Sequence, residues 1–349
     1  MIAGRSVLFL ADYEPSFSGD TYRGAGVGGT QAMIVLLAEE IARRGATVTV
    51  ANRTRSETHA AGVRYVPAAS LGTAGSDLVV LTKQWSDAAD GRGRLRVFLC
   101  PDIHVEPAAQ LERCRDWAHA CFAGSDFNRE RVERATGRGT VRALGWPVDV
   151  DAYAAAVSRR ERVLLYCSVP DRGLYYLKDI FPRVRREVPD ARLLITSDFT
   201  LWGRGPARGV FEAFFRGQDG VEYLGHVDRT TLVDAQCRAR VMAYPCNFPE
   251  GFCLAAAECM AAGTVPVTTN AFALTTTVGE SGVLVRGRPR SWLYRRAFTR
   301  ALVRLLTDDA AWESAASACR RRARSEFHPR AVVDRLFAFL DPFARTVWT

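Results

Sequence analysis

Short runs of consecutive apolar residues, each followed by a stretch with helical spacing, recur along this chain in two series. In the first half "RSVLFL", "TVTVAN", "VRYVP", "DLVVLT", "RVFLC" and "HACFAG" read as strands. Between them, "TQAMIVLLAEEIARR" carries apolar residues at helical spacing and stops at Gly45, and "DFNRERVERATG" reads as a capped helix closing on Gly137. Strands that are apolar on both faces and alternate with helices call for a parallel sheet covered on both sides. Few other architectures accept such a pattern.

The alternation then starts again. "GWPVDVDAYAAAVSRRE" holds a proline, two aspartates and a polar end, and reads as a linker. After it come the strands "RVLLYCS", "ARLLIT", "VEYLG", "VMAYP", "VPVTT" and "GVLV", separated by helical segments, and then three C-terminal helical segments. A length of 349 residues fits two domains. The expectation is an α/β chain of two doubly wound, Rossmann-like domains, residues 1–157 and 158–328, with a final helix, 329–349, packing back across both. Ligands of such sheets bind at the carboxyl ends of the strands, which for two domains points to the cleft between them.

Composition removes several classes. Hydrophobic residues make up 48% and charged residues 24%, the balance of an ordinary globular protein. No apolar run reaches the 18 residues of a membrane span. The opening "MIAGRSVLFLADYEP" is too short in its apolar part for a signal peptide, so a cytoplasmic location is expected. Nine cysteines without a C-x-x-C pair read as reduced, mostly buried thiols, with no disulfide frame and no zinc site. The net charge of +9 comes from arginines spread through the chain; Lys83 and Lys178 are the two lysines. That spread, with one cluster at "CRRRARSEF", does not fit a nucleic-acid binder and reads as solvated helix face. A weak peripheral contact with an anionic membrane, or attraction to a phosphate-rich substrate, stays open.

The stretch "PEGFCLAAAECMAAGTVPV", Pro249–Val267, carries the chemistry. Glu250 stands at the start of an apolar helical segment and Glu258 within it. With a helix beginning near Gly251, the N–H groups of Gly251, Phe252, Cys253 and Leu254 would be free to bind phosphate. Glu258 would then lie on the same face, roughly 10 Å further along the axis. One carboxylate can hold a sugar and the other a ribose, with a diphosphate between them. Two acidic residues alone also fit a helix-terminal charge and an exposed polar position.

The pattern P-E-G-F-x-L-x-x-x-E-x-M-A-x-G-x-x-P-V resembles the signature of retaining nucleotide-sugar glycosyltransferases of GT-B fold, the "glycosyl transferases group 1" or family 4-like type. The resemblance covers most of the chain. "GVGGTQAMIVLLAEEIARRGATVTV" is similar to the family's Gly-Gly loop, helix and second strand, with Gly28 and Gly29 in the loop. "SDFNRERV" resembles its serine-led helix opening, and "LGWPVDVDAY" the end of its first domain. "CSVPDRGLYYLKDIF" looks like the segment supplying basic donor-phosphate ligands, and "VEYLGHVDRTTL", which contains Val227, like the one whose loop lies against the nucleobase.

Three positions depart from the family. Where members often carry an arginine followed five residues later by a lysine, this chain has Cys167 and Arg172. The histidine usual after the strand resembling "RVFLC" is replaced by Pro101, with Asp102 next and His104 slightly later. A frequent glutamate before the last donor-domain strand is Thr276 here.

The resemblance implies a retaining, metal-independent hexosyl- or N-acetylhexosaminyltransferase that takes its sugar from a nucleoside diphosphate, UDP being the expected carrier. No cofactor is expected beyond that co-substrate. The acceptor would be a small molecule, a natural product or a cell-surface glycan. Expected catalytic residues are Glu250, Arg172 and His104. The donor side adds Glu258, Gly251, Phe252, Cys253, Leu254, Lys178 and Val227. The acceptor side has Gly28, Gly29, Asp102, Asp12 and Glu14, the last two in a loop whose acids suit an amine-bearing acceptor as well as solvent. No metal ligands are expected: the aspartates of "PVDVD" belong to the segment read as linker, no Asp-x-Asp pair is of the kind that clamps a diphosphate-bound cation, and no His/Cys cluster with ligand spacing appears. A catalytically weak nucleotide-sugar-binding pseudo-enzyme is the alternative, motivated by Cys167 and the "CPDIH" segment. An NAD-linked enzyme is poorly supported, because the G-x-G-x-x-G spacing of Gly24–Gly29 does not directly follow the first strand, as that fingerprint requires. The sequence leaves the oligomeric state open.

Overall fold

The apolar runs form the strands expected of them in a computed structural model, which describes residues 2–101, 108–137, 141–154, 161–202 and 208–348. The chain forms two compact units. Unit 1 comprises Met1–Arg23, Val27–Pro147 and His328–Thr349; unit 2 comprises Gly24–Gly26 and Val148–Phe327. The division falls at Pro147/Val148, inside the segment read as a linker, whereas the sequence reading put it after residue 157. The C-terminal segment is counted with unit 1.

Unit 1 holds an eight-stranded sheet of β1 (Ser6–Ala11), β2 (Thr47–Asn52), β3 (Thr58–Ala60), β4 (Val63–Pro67), β5 (Leu78–Thr82), β6 (Leu95–Cys100), β7 (Ala120–Ala123) and β8 (Val141–Ala143). The order is β3-β4-β2-β1-β5-β6-β7-β8. Every pairing is parallel except β3 with β4. Helices α1 (Gly19–Arg23), α2 (Gly29–Arg43), α3 (Ala108–Trp117) and α4 (Asp126–Thr136) belong to it. Helix α2 is buried along nearly its whole length, from Gln31 to Ile41, as a helix apolar around its circumference must be. Helix α4 has the caps its sequence advertises: the Ser125 hydroxyl accepts from the N–H of Asn128, and Gly137 ends it in the left-handed conformation. The edge strand β3 and the short β8 have no apolar run of their own, and neither was predicted.

Unit 2 holds a six-stranded, all-parallel sheet: β9 (Glu161–Tyr166), β10 (Arg192–Ile195), β11 (Val221–Tyr223), β12 (Ala239–Tyr244), β13 (Val265–Thr269) and β14 (Val283–Val285). Its order is β11-β10-β9-β12-β13-β14. The helices are α5 (Val150–Ala154), α6 (Leu177–Glu187), α7 (Arg208–Phe214), α8 (Arg229–Arg238), α9 (Leu254–Ala262), α10 (Leu274–Thr277), α11 (Trp292–Thr307) and α12 (Asp309–Arg322). Helix α6 buries Leu177, Ile180, Phe181 and Val184, the i, i+3, i+4, i+7 stripe visible in its sequence. The last helix, α13 (Pro329–Val347), packs on α2 in unit 1, where Arg44 bonds Asp334 at 2.7 Å.

The strand order of unit 2 reverses between β9 and β12. At such a point the two connections leave in opposite directions and open a crevice at the carboxyl ends of the strands. The loop after β9 carries Arg172 and the loop after β12 carries Glu250, so topology alone brings them together.

Candidate functional site

Glu250 is 4% exposed. A buried carboxylate needs partners, and the neighbouring strands supply them. Arg172 Nη1 donates to both carboxylate oxygens, at 3.1 and 3.0 Å. The Tyr244 hydroxyl, at the end of β12, donates to Oε1 in a very short bond. Burial, and then the Glu250 charge, hold the Tyr244 pKa far above the usual phenol range, which keeps it a donor. It accepts in turn from the Ser168 hydroxyl at 3.2 Å.

Arg172 closes a 3-10 turn, Pro170–Arg172, and its guanidinium lies over the Phe248 ring, 4.2 Å from the centroid. Burial opposes its charge, but attraction to Glu250 and then to Tyr244 outweighs that, so its pKa is raised. The turn depends on Gly173, at φ 133°, where a Cβ would stand 2.3 Å from the Pro245 carbonyl oxygen. Both the backbone angle and the contact exclude a side chain. Gly173→Ala is therefore expected to destabilise unit 2 by about 2–4 kcal/mol, seen as a lowered denaturation midpoint.

The helix that follows begins at Leu254, which corrects the expectation of a start near Gly251. Gly251 and Phe252 belong to the preceding loop, and Cys253 is the N-cap, with φ 74° and ψ 75°. The left-handed region is unfavourable for cysteine, and such outliers persist only where the surroundings enforce them. Here the Phe252 carbonyl accepts from Thr277 Oγ1 at 2.5 Å, and its ring meets Phe327 edge to face. Ala256 and Ala257 both donate to the Cys253 carbonyl. The anion-favouring helix end is thus set at Leu254, and Glu258 is about 6 Å from it along the axis, one turn in rather than two.

Glu258 does not stand alone. Oε1 accepts from Arg229 Nη1 at 2.7 Å and Oε2 from Gln236 Nε2 at 3.4 Å. Arg229 Nη2 donates to the Tyr153 hydroxyl at 3.1 Å, and that hydroxyl donates to Gln236 Oε1 at 2.7 Å. Arg229 is 9% exposed and Gln236 fully buried. Sequence reading missed Arg229, Gln236, Tyr153, Tyr244 and Ser168. Only Arg229 left a trace: it is the first residue of α8, after the cap Asp228, where the helix dipole disfavours a cation.

Lys178 is exposed on α6 with its ammonium over the Phe214 ring, 4.4 Å from the centroid. Val227 is half-buried just before α8. Cys167 Sγ lies 3.6 Å from Cys259 Sγ of α9, so the position expected to hold a cation holds a thiol pair. Thr276 bonds its own helix through Ala273 O, and Arg322 donates to its carbonyl. In unit 1, Gly28 is the N-cap of α2 and Gly29 its first residue. Asp12 is paired with Arg53 at 3.1 Å, and Glu14 is exposed. Asp102 and His104 lie outside the described residues. Among the described residues no group of three or more His, Cys, Asp or Glu side chains is placed to hold a metal ion. No helix among them is long and apolar enough to cross a membrane.

The family model for "Glycosyl transferases group 1" matches residues 160–308, the stretch that contains both glutamates and their arginines. The chain is 32% identical over 203 residues to a phosphatidyl-myo-inositol mannosyltransferase of Mycobacterium tuberculosis, a match covering 54% of this chain and 50% of that protein. It thus spans about half the length of the curated relatives it matches. Among solved structures, sucrose-phosphate synthase from Thermosynechococcus elongatus superposes with a TM-score of 0.72 at 18% identity, over 98% of this chain and 100% of that one. HepE of Anabaena in complex with UDP-glucose gives 0.70 at 16%, over 97% and 100%. The two parallel-sheet units have the GT-B fold of these structures, and residues 160–308 of the chain are similar to the glycosyl transferases group 1 family.

Proposed function

We propose that the protein is a retaining, metal-independent glycosyltransferase. Unit 2 binds a nucleoside diphosphate sugar, UDP-linked, and the sugar is a hexosyl or N-acetylhexosaminyl group. Acceptor binding is assigned to unit 1. The observation that carries the reading is the Arg172–Glu250 pair, set where the strand order of unit 2 reverses and one loop before the strained entry to α9. Arg172 supplies the charge for a diphosphate, the start of α9 supplies N–H groups, and Glu250 is placed to accept from sugar hydroxyls. Glu258 accepts from the ribose. That one neighbour binds UDP-glucose supports the choice of nucleotide.

The chemistry asked of the site is positioning and charge stabilisation. Glu250, buried and held by Arg172 and Tyr244, suits hydrogen bonding to the sugar better than attack on its anomeric carbon. The acceptor hydroxyl approaches on the face from which the diphosphate leaves. The anomeric C–O bond to phosphate breaks, the new bond forms, and the departing phosphate oxygen takes the hydroxyl proton. The configuration at the anomeric carbon is kept.

A donor screen tests this. UDP-, GDP- and ADP-linked hexoses are incubated with the protein and a cell extract, and products are followed by mass and by the NMR of the anomeric proton. One donor should be consumed to give a product of unchanged anomeric configuration, whereas an inverted linkage would overturn the mechanism. Chelator is expected to leave the rate within about twofold, because the charge on the leaving group is met by Arg172 and backbone donors. Loss of activity in chelator with recovery in magnesium or manganese would contradict that.

The second reading, a nucleotide-sugar-binding pseudo-enzyme, draws on the thiol pair Cys167–Cys259. It predicts donor binding with no transfer from any donor.

A further inference from the structure

Glu258, Arg229, Tyr153 and Gln236 form a closed ring of hydrogen bonds. Arg229 Nη1 donates to Glu258 Oε1, Arg229 Nη2 to Tyr153 OH, Tyr153 OH to Gln236 Oε1, and Gln236 Nε2 to Glu258 Oε2. The four side chains come from three helices: Tyr153 from α5, Arg229 and Gln236 from the two ends of α8, Glu258 from α9. The three helices pack on one another. Two donor paths lead from Arg229 to Glu258, one direct and one relayed through Tyr153 and Gln236, so the bonds reinforce rather than compete.

The ring has two consequences for Glu258. Each carboxylate oxygen accepts one bond from the ring, and a carboxylate has about four acceptor positions. One acceptor position on each oxygen is left over, in a fixed direction. Two acceptors side by side fit the two neighbouring hydroxyls of a ribose. The carboxylate is also fixed before ligand arrives, so binding need not order it, and preorganisation of this kind is a main source of affinity.

Arg229 is costly where it stands. It is a cation at the start of a helix and nearly buried, and both conditions are unfavourable for charge. Glu258 is its salt-bridge partner, at 2.7 Å. A merely solvated arginine would not be held this way.

We propose that Arg229 is the positioning residue for nucleotide recognition: it locks Glu258 through this ring, and the ring is what distinguishes a ribonucleotide from its 2′-deoxy counterpart. The proposal rests on the reading of unit 2 as a nucleoside diphosphate site. It adds that the ribose contact is set by a residue which itself need not touch the ligand.

The test is calorimetric titration of UDP and 2′-deoxy-UDP into the full-length protein and its variants. The wild type is expected to favour UDP by about tenfold, the scale of one hydrogen bond to a charged acceptor. Glu258→Gln and Arg229→Ala should each bring that ratio to within about twofold, and Arg229→Lys should recover part of it. Tyr153→Phe, which removes one hydroxyl and leaves the packing, should lower the ratio by an intermediate amount; it and Arg229→Lys give the answer if Arg229→Ala does not fold. A structural role for Arg229 would weaken both ligands equally and leave the ratio at its wild-type value, and that result overturns the proposal. If Glu258→Gln loses the preference while the Arg229 and Tyr153 variants keep it, the ribose site stands and the positioning role falls. If the wild type binds UDP without preference, the ribose role of Glu258 falls and the proposal with it. Failure of the wild type to bind UDP removes the donor reading itself.

Discussion

Glu250→Gln is expected to slow sugar transfer by on the order of a hundredfold or more while tightening the binding of free nucleoside diphosphate several-fold. The opposite signs follow from the geometry. Glu250 neutralises Arg172 through two bonds from the same nitrogen, so the charge proposed to meet a diphosphate is already engaged. An amide of the same shape releases Arg172 and removes a negative charge from beside the phosphates. It also weakens the acceptor that the sugar hydroxyls use as charge develops at the anomeric carbon. Steady-state kinetics and calorimetry on one preparation decide it. Weaker binding together with slower transfer would assign Glu250 to the fold and not to the reaction.

Arg172→Ala should slow transfer by on the order of a hundredfold or more, the scale of removing one group that stabilises developing charge. This variant has a second effect. It leaves Glu250 buried beside Tyr244 with no counterion, a change that typically costs about 3–5 kcal/mol. Activity and stability are separated by Arg172→Ala combined with Glu250→Gln. Removing both charges should restore most of the stability, since a buried pair can be replaced together at little net cost. Transfer should stay as slow as in the single variant. Recovery of transfer along with stability would show that Arg172 acts through folding alone.

The two sheets, their mostly parallel pairing and the main helices were legible because the central strands are apolar on both faces and the helical stripes are clean, as in α6 and α13. The elements missed have no such signature: β3 is three residues of Thr, His and Ala, and α5 sits in a stretch that reads as linker. The start of α9 was misplaced because Cys253 adopts a left-handed cap that no local preference favours. Glu250 and Glu258 could be picked out because their spacing matches a long pattern, and Arg172 because its segment resembles the one that supplies basic donor-phosphate ligands. Their partners could not. Tyr244 reads as one more apolar strand residue, and Gln236 as an exposed helical one, until topology brings β12 beside β9 and α8 beside α9. That Arg172 and Glu250 are bonded to each other was equally out of reach, since the positions are 78 residues apart and each looked like a ligand residue in its own right.

The central claim is that unit 2 holds a nucleoside diphosphate through Arg172, and calorimetric titration tests it most directly. UDP, GDP and ADP are titrated into the wild type and into the double variant Arg172→Ala with Glu250→Gln, which keeps the buried charges balanced. Saturable one-to-one binding of UDP by the wild type, weakened by about tenfold or more in the double variant, is the expected result. Binding of none of the three by the wild type, or equal UDP affinity in both proteins, would contradict it.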